Sequence, residues 1–294
     1  MHNLAGTTLS LGTDVVVTGG GRLVRHDNFP SAFVPARKLE VWLPPGYDAN
    51  ATEHYPVIYM HDGQNIFDPA VGFGGASWEV DRAMCRLIAA GKTQGAIIVG
   101  VANTGMGRFP EYMPQQAVKH DPVVMLKGAT VVPAAMIRSD AYLKFLVEEV
   151  KPFIDHAYRT RPEAAHTFVM GSSMGGLISA YALVQYPAVF GGAGCVSTHW
   201  PADDGSVVDY VAAHLPAPGT HKLYFDFGTE TLDAHYEPYQ LKMDAALRAN
   251  GQVEGRDWLT RKFPGADHSE AAWRQRVEIP LGFLLGPPEK AKRQ

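Results

Sequence analysis

"TFVMGSSMGGLISAYA" (residues 167–182) places two adjacent serines in a glycine-rich turn between a short apolar run and a helical pattern. Gly171-Ser172-Ser173-Met174-Gly175 fits G-x-S-x-G, with Ser173 at its centre. Chance supplies such a pattern in about one chain in ten of this length, so the spacing alone is weak. Its flanks add weight, because a nucleophile turn needs a strand before it and a helix after it. "TFVM" and "LISAYALV" supply both. The neighbours of such a serine must be small, or side chains would collide with the strand and the helix. Gly171, Gly175 and Gly176 meet that need. The turn exposes the Ser173 hydroxyl and sets the Met174 N–H at a helix N-terminus, where a developing oxyanion is stabilised. The competing reading is a glycine-rich turn in which Ser172 or Ser173 merely caps the helix.

The same strand–helix rhythm extends outward. "PVIYMHDG" (56–63), "AIIVGVAN" (96–103), "GAGCVS" (192–197) and "KLYFDFG" (222–228) are near-continuous apolar runs, as parallel strands buried on both faces would be. "KLEVWLP" (38–44) alternates like a half-buried strand, and "WLTRKF" (258–263) is a further strand pattern. Helical patterns fill residues 77–91, 140–158, 177–187, 233–251 and 269–286. Ser77 and Asp233 suit N-caps, and Gly91 and Gly251 suit helix stops. The alternation predicts an α/β fold, a mostly parallel central sheet with helices on both faces. A single domain is expected, since no boundary or repeat interrupts it. Residues 104–140 break the pattern, being rich in Pro and Gly without sustained periodicity, and are expected to cover the substrate.

A serine needs a base and an orienting acid. His268, in "FPGADHSEAAW", lies between a strand pattern and the last helix. His199, His214, His221 and His235 are less well placed, and His199, just past a strand end, is a candidate pocket residue. "GTETLD" after the 222–228 strand offers Glu230 and Asp233 as the acid. Asp233 is the shorter and directly precedes the helix, while Glu230 is the alternative. The order Ser173, Asp233, His268 is that of α/β-hydrolases. A second oxyanion donor is expected from "YMHDGQNIFD" (59–68), where Gly63 lets the backbone come close and the Gln64 N–H points inward.

Composition narrows the partners. The 294 residues carry a net charge of -4, are 46% hydrophobic and have no basic block beyond the "KAKR" tail at 290–293. Nucleic acid and anionic membrane are therefore not expected partners, and no apolar run reaches the ~20 residues that span a bilayer. The two cysteines read as buried free thiols. No metal-ligand spacing appears, and neither a metal nor another cofactor is expected. The N-terminus reads as mature sequence, cytoplasmic as written, or periplasmic or secreted if a native leader was removed. A small-molecule ester is the expected partner, and a homo-oligomer is compatible with the sequence.

Together these segments resemble the putative-esterase (esterase D/Fes-like) family of α/β-hydrolases, which includes enterochelin, feruloyl and acetyl-xylan esterases, S-formylglutathione hydrolases and mycolyltransferases. The resemblance runs from "VWLPPGYDA" (41–49) to "PLGFLLG" (280–286). It implies Ser173 as nucleophile, His268 as base, and Gly63-Gln64 with Met174 as the oxyanion loop and donor. The acid stays open, because matching the following helix selects Asp233 and counting from Gly228 selects Glu230. Arg108, Glu111 and Tyr112 are similar to the family's R-x-x-E-Y segment. Trp78, Arg108, Phe109, His199 and Trp200 are candidates for substrate contact. The expected reaction is ester hydrolysis through an acyl-enzyme on Ser173. Acyl transfer to an alcohol, or a non-catalytic binding module on a hydrolase scaffold, are the alternatives.

Overall fold

In the computed structural model, which describes residues 12–15, 20–119, 121, 123–126 and 128–287, the apolar runs become adjacent strands. The strands are β1 (Thr13–Val15), β2 (Arg22–Phe29), β3 (Arg37–Leu43), β4 (Val57–His61), β5 (Ile97–Val101), β6 (Val123–Leu126), β7 (Gly128–Val131), β8 (Thr167–Ser172), β9 (Gly192–Val196), β10 (Lys222–Gly228) and β11 (Trp258–Phe263). Nine of them form one sheet in the order β1-β2-β3-β5-β4-β8-β9-β10-β11. The six from β5 to β11 run parallel, and β1, β2 and β3 add antiparallel at one end. β4, β5, β8 and β9 are buried at every residue, which is why they read as unbroken apolar runs.

Two sequence expectations change at the antiparallel end. β3 is buried almost throughout, not half-buried, because it lies between β2 and β5. Its one acid, Glu40, is enclosed with Arg25 donating to it at 2.9 and 2.7 Å. β2 escaped notice because "RLVRHDNF" is largely polar and partly exposed.

The helices are α1 (Val80–Ala89), α2 (Arg108–Tyr112), α3 (Ser139–Lys144), α4 (Lys151–Ala157), α5 (Met174–Gln185), α6 (Ser206–Ala213), α7 (Glu237–Ala249), α8 (Glu270–Arg274) and α9 (Glu278–Leu285). Alternate side chains of each strand feed separate cores. Val57, Tyr59, Val169 and Cys195 pack with α5, α6 and α7 on one face. Ile58, Met60, Phe168 and Met170 pack with α1, α8 and α9 on the other. A wide π-helical turn, Phe145–Val150, joins α3 to α4 just before Pro152, whose ring and missing N–H disrupt regular helical bonding.

Gly91 and Gly251 end α1 and α7 with φ of 65° and 85°. The two expected N-caps are not caps. The Ser77 hydroxyl donates to the Phe67 carbonyl, and Asp233 sits in a 3-10 turn, Thr231–His235, ahead of α7. The expected closing helix is also broken into α8 and α9, and the break carries Arg276 into the interior, only 4% exposed. Residues 104–140 hold more regular structure than their composition suggested: α2, the β6–β7 hairpin and three short 3-10 turns. The "KAKR" tail lies outside the described residues.

Candidate active site

The carboxyl ends of the parallel strands are where α/β sheets place their ligands, and the loops following β4, β5, β8, β10 and β11 meet there. Ser173 follows β8 directly, at φ 58° and ψ -121°, and is 3% exposed. A non-glycine residue in that region stores about 1–3 kcal/mol and persists only where its surroundings enforce it. The enforcement is steric. A Cβ on Gly171 would stand 2.9 Å from the Gly175 backbone, so only glycine lets α5 close against β8. The Ser173 N–H also bonds to the Val196 carbonyl at 3.0 Å. Met174 opens α5, whose first-turn N–H groups lack helical acceptors.

His268 lies in the loop between β11 and α8, and its Nδ1 is 2.5 Å from Asp233 Oδ1. Asp233 Oδ2 accepts from Ser197 Oγ and from the Gly228 N–H, both at 2.6 Å. Burial alone would raise the Asp233 carboxyl. The bonds from His268, Ser197 and Gly228 outweigh it and hold the carboxyl below its ordinary range. Glu230 is exposed, with Thr229 Oγ1 3.3 Å from its Oε1, so of the two candidate acids the one brought to His268 is Asp233. The Ser173 hydroxyl is buried and makes no hydrogen bond among the described residues. Such bonds often align only when substrate arrives.

Behind Asp233 lies a network the sequence did not reveal. Ser197 Oγ accepts from Trp273 Nε1 at 2.9 Å and from Arg276 Nη2 at 2.8 Å. Arg276 bonds in turn to both carboxylate oxygens of Asp226, at 3.0 and 3.3 Å, and Tyr224 Oη donates to Asp226 at 2.8 Å. The members are distant in sequence, and only the α8–α9 break brings Arg276 among them.

The turn after β4 is built with equal density. Asp62 has a left-handed φ of 57°, and a Cβ on Gly63 would come 2.5 Å from the Gly100 carbonyl carbon. Arg108 grips Asp62 with two bonds, at 2.8 and 2.7 Å, and Asn103 Nδ2 adds a third at 2.7 Å. Burial pushes the Asp62 carboxyl up, but Arg108 prevails and keeps it below its usual range. Asn103 N–H donates to Gln64 Oε1 at 3.1 Å, fixing the Gln64 side chain.

These elements enclose a cavity of about 330 Å3 lined by Asp62, Gln64, Asn65, Phe73, Asn103, Gly105, Arg108, Phe109, Ser172, Ser173, His268, Glu270 and Trp273. Of the residues expected to contact substrate, Arg108 and Phe109 line it, but the Arg108 guanidinium is committed to Asp62. Trp78 packs behind Trp273 with ring centroids 5.5 Å apart. His199 is buried with Nδ1 2.7 Å from Tyr236 Oη, and burial holds its imidazole down at about 3. Trp200 is buried against Phe225 and donates to Gln240 at 2.8 Å. None of these three is a lining residue. Glu111 makes an internal ion pair with Arg37 at 2.8 Å. Asn65, Phe73, Asn103, Glu270 and Trp273 line the cavity unforeseen; Glu270, two residues beyond His268, carried the one local signal. Among the described residues of 104–140, only Gly105, Arg108 and Phe109 line the cavity. Among the described residues, no group of His, Cys, Asp and Glu is arranged to hold a metal, and no helix is long and apolar enough to cross a membrane.

Sheet order, turn and site geometry together define an α/β-hydrolase. Residues 32–279 match the family described as "Putative esterase", and the chain belongs to that family. It is accordingly a carboxylic ester hydrolase acting on small-molecule esters. A curated relative, the Uncharacterized protein YbbA of Bacillus subtilis (strain 168), is 22% identical over 256 residues, covering 85% of this chain and 93% of its own. The fold is similar to that of an IroE-like serine hydrolase from Shewanella oneidensis, with TM-score 0.67 and 18% identity over 89% of this chain and 79% of that one. It is also similar to a ferulic acid esterase, with TM-score 0.63 and 19% identity over 90% and 97% of the two chains. The enterobactin esterase FES from Shigella flexneri gives a TM-score of 0.62 and 16% identity, over 90% of this chain and 58% of that one.

Proposed function

We propose that this protein hydrolyses carboxylic esters through an acyl-enzyme on Ser173, with His268 as general base and Asp233 as its orienting acid. The observation that carries this reading is the 2.5 Å contact between His268 Nδ1 and Asp233 Oδ1, next to a serine held at positive φ. His268 Nε2 takes the Ser173 proton as Oγ attacks the ester carbonyl. Asp233 keeps the imidazole tautomer that accepts at Nε2 and stabilises the imidazolium that forms. The backbone N–H groups of Met174 and Gln64 receive the oxyanion, each contributing about 3 kcal/mol to the transition state. The imidazolium then protonates the leaving alcohol. Water, deprotonated by the same histidine, releases the acid and restores Ser173.

The similarity to a ferulic acid esterase and to the enterobactin esterase FES, together with Phe73, Phe109 and Trp273 on the cavity wall, supports an aromatic ring in the ester. Residues 105–109 serve as the substrate-facing part of the 104–140 segment, within one catalytic domain. Rapid quenching during p-nitrophenyl acetate turnover, followed by peptide mass analysis, tests the pathway. An acetyl group on the Ser173 peptide that decays with product release is expected. Turnover with no acyl group on that peptide would refute it.

A further inference from the structure

The polar side chains on the cavity wall are mostly occupied by one another. Asp62 is held by Arg108 and Asn103, Asn103 Oδ1 accepts from the Gly105 N–H, and Gln64 Oε1 accepts from the Asn103 N–H. Asn65 uses Oδ1 for the Phe73 N–H and Nδ2 for Glu270 Oε1, at 3.0 and 3.2 Å. Glu270 differs. It is 9% exposed, it lines the cavity, and Asn65 is its only side-chain hydrogen-bond partner among the described residues. No cation pairs with it there, whereas the charges of Asp62 and Arg108 cancel each other at 2.7 Å. The cavity therefore presents one carboxylate with no ion-pair partner among the described residues.

An enclosed carboxylate without a counter-charge is costly, and the cost falls when a cation enters. Burial pushes the Glu270 carboxyl upward, with the Asp62 charge adding to it and its own backbone N–H and the Arg108 charge opposing. Phe73 and Trp273 line the same space, and aromatic faces also attract cations. An anionic group would meet both the Glu270 charge and the negative faces of these rings.

We propose that Glu270 is a specificity-determining residue that makes this cavity favour esters carrying an ammonium group, seated between the Glu270 carboxylate and the Phe73 and Trp273 rings. The proposal rests on the hydrolase reading above, because it takes the cavity at Ser173 as the substrate site. The ammonium donates to the free carboxylate oxygen while the ester carbonyl faces Ser173. Asn65 orients the carboxylate through its other oxygen.

Three competitors of one shape test it: methyl 4-(aminomethyl)benzoate, methyl 4-(hydroxymethyl)benzoate and methyl 4-carboxybenzoate. Each is measured at neutral pH as a competitor of p-nitrophenyl acetate hydrolysis, so that it reports binding whether or not it is cleaved. The ammonium compound is expected to compete about tenfold more tightly than the hydroxyl compound, the increment of one charge-assisted hydrogen bond, with the carboxylate weakest. In Glu270→Gln, which keeps the shape, the ammonium and hydroxyl compounds should agree within about twofold, while Glu270→Asp should retain the order. Equal or reversed order in the unaltered protein overturns the proposal, as does a preference that persists in Glu270→Gln. Absence of p-nitrophenyl acetate hydrolysis in the unaltered protein would instead count against the hydrolase reading itself.

Discussion

Ser173 and Phe73 line the same cavity but belong to two kinds of structure. Ser173 is 3% exposed and stands on a turn where glycine is required, with a strained φ and a backbone bond to β9. Phe73 is 68% exposed, on a loop whose Gly74 and Gly75 meet no atom within 4 Å of an added Cβ. Val71 and Met106, on that loop and on the turn opposite, are also exposed. The inner half thus holds Ser173 by steric and hydrogen-bond constraints, as a reacting group would require. The mouth offers an exposed apolar rim, which suits adaptable recognition. Changes in the inner half should therefore cost far more than changes at the rim.

The largest difference is expected at the reacting groups. Ser173→Ala and His268→Ala should each lower kcat/KM for p-nitrophenyl acetate by about 10^3-fold or more, and the double variant should be little worse than either. Additive losses would break the picture of one machine. Next comes the buried support. Arg276→Met strands the Asp226 carboxylate and removes a donor to Ser197, so chemical denaturation should show a loss of about 3–5 kcal/mol. A loss below about 1 kcal/mol would mean the network is not a structural anchor.

Arg108 sharpens the comparison because it touches the cavity while bonded to the Gln64 turn. Arg108→Gln should lower kcat about 10- to 100-fold with KM within about threefold, the signature of a lost transition-state interaction. A rise in KM alone would make Arg108 a substrate contact instead. At the rim, Phe73→Ala should leave stability within about 0.5 kcal/mol, and its effect should appear in KM for aromatic esters and not in kcat for acetate.

A further prediction concerns a protonation state. Burial holds His61 and His199 down at about 3, so histidine NMR should find both neutral from pH 7 to pH 5. Because their folded values lie below the unfolded 6.5, unfolding takes up protons in that window. Each therefore contributes stability that is complete above 6.5 and falls by up to about 1.4 kcal/mol per unit as the pH drops toward 3. Titration of either near 6.5 would contradict their burial in the native state.

How much was legible follows the same division. The strand–turn–helix around Ser173 could be read because its steric rule is local: small residues at fixed offsets between a strand and a helix. The parallel strands could be read because burial on both faces leaves unbroken apolar runs. Asp233 was favoured over Glu230 only weakly, since the choice depends on the 3-10 turn that delays α7 and sets Asp233 beside His268. Ser197, Asp226 and Arg276 were invisible because their bonds join residues 29 to 79 positions apart. His199 and Trp200 stand just past the end of β9 and Trp78 just ahead of α1, in loops where an aromatic can face a cavity or a neighbouring helix with the same local sequence. Packing turned all three inward.

The central claim is that Ser173 is a nucleophile whose reactivity depends on His268. A fluorophosphonate incubated with the folded protein, followed by peptide mass mapping, tests it most directly. The account predicts a single adduct on Ser173 in the unaltered protein and none in His268→Ala over the same time. Folded protein that hydrolyses p-nitrophenyl acetate yet carries no adduct, or carries it on another residue, would contradict it.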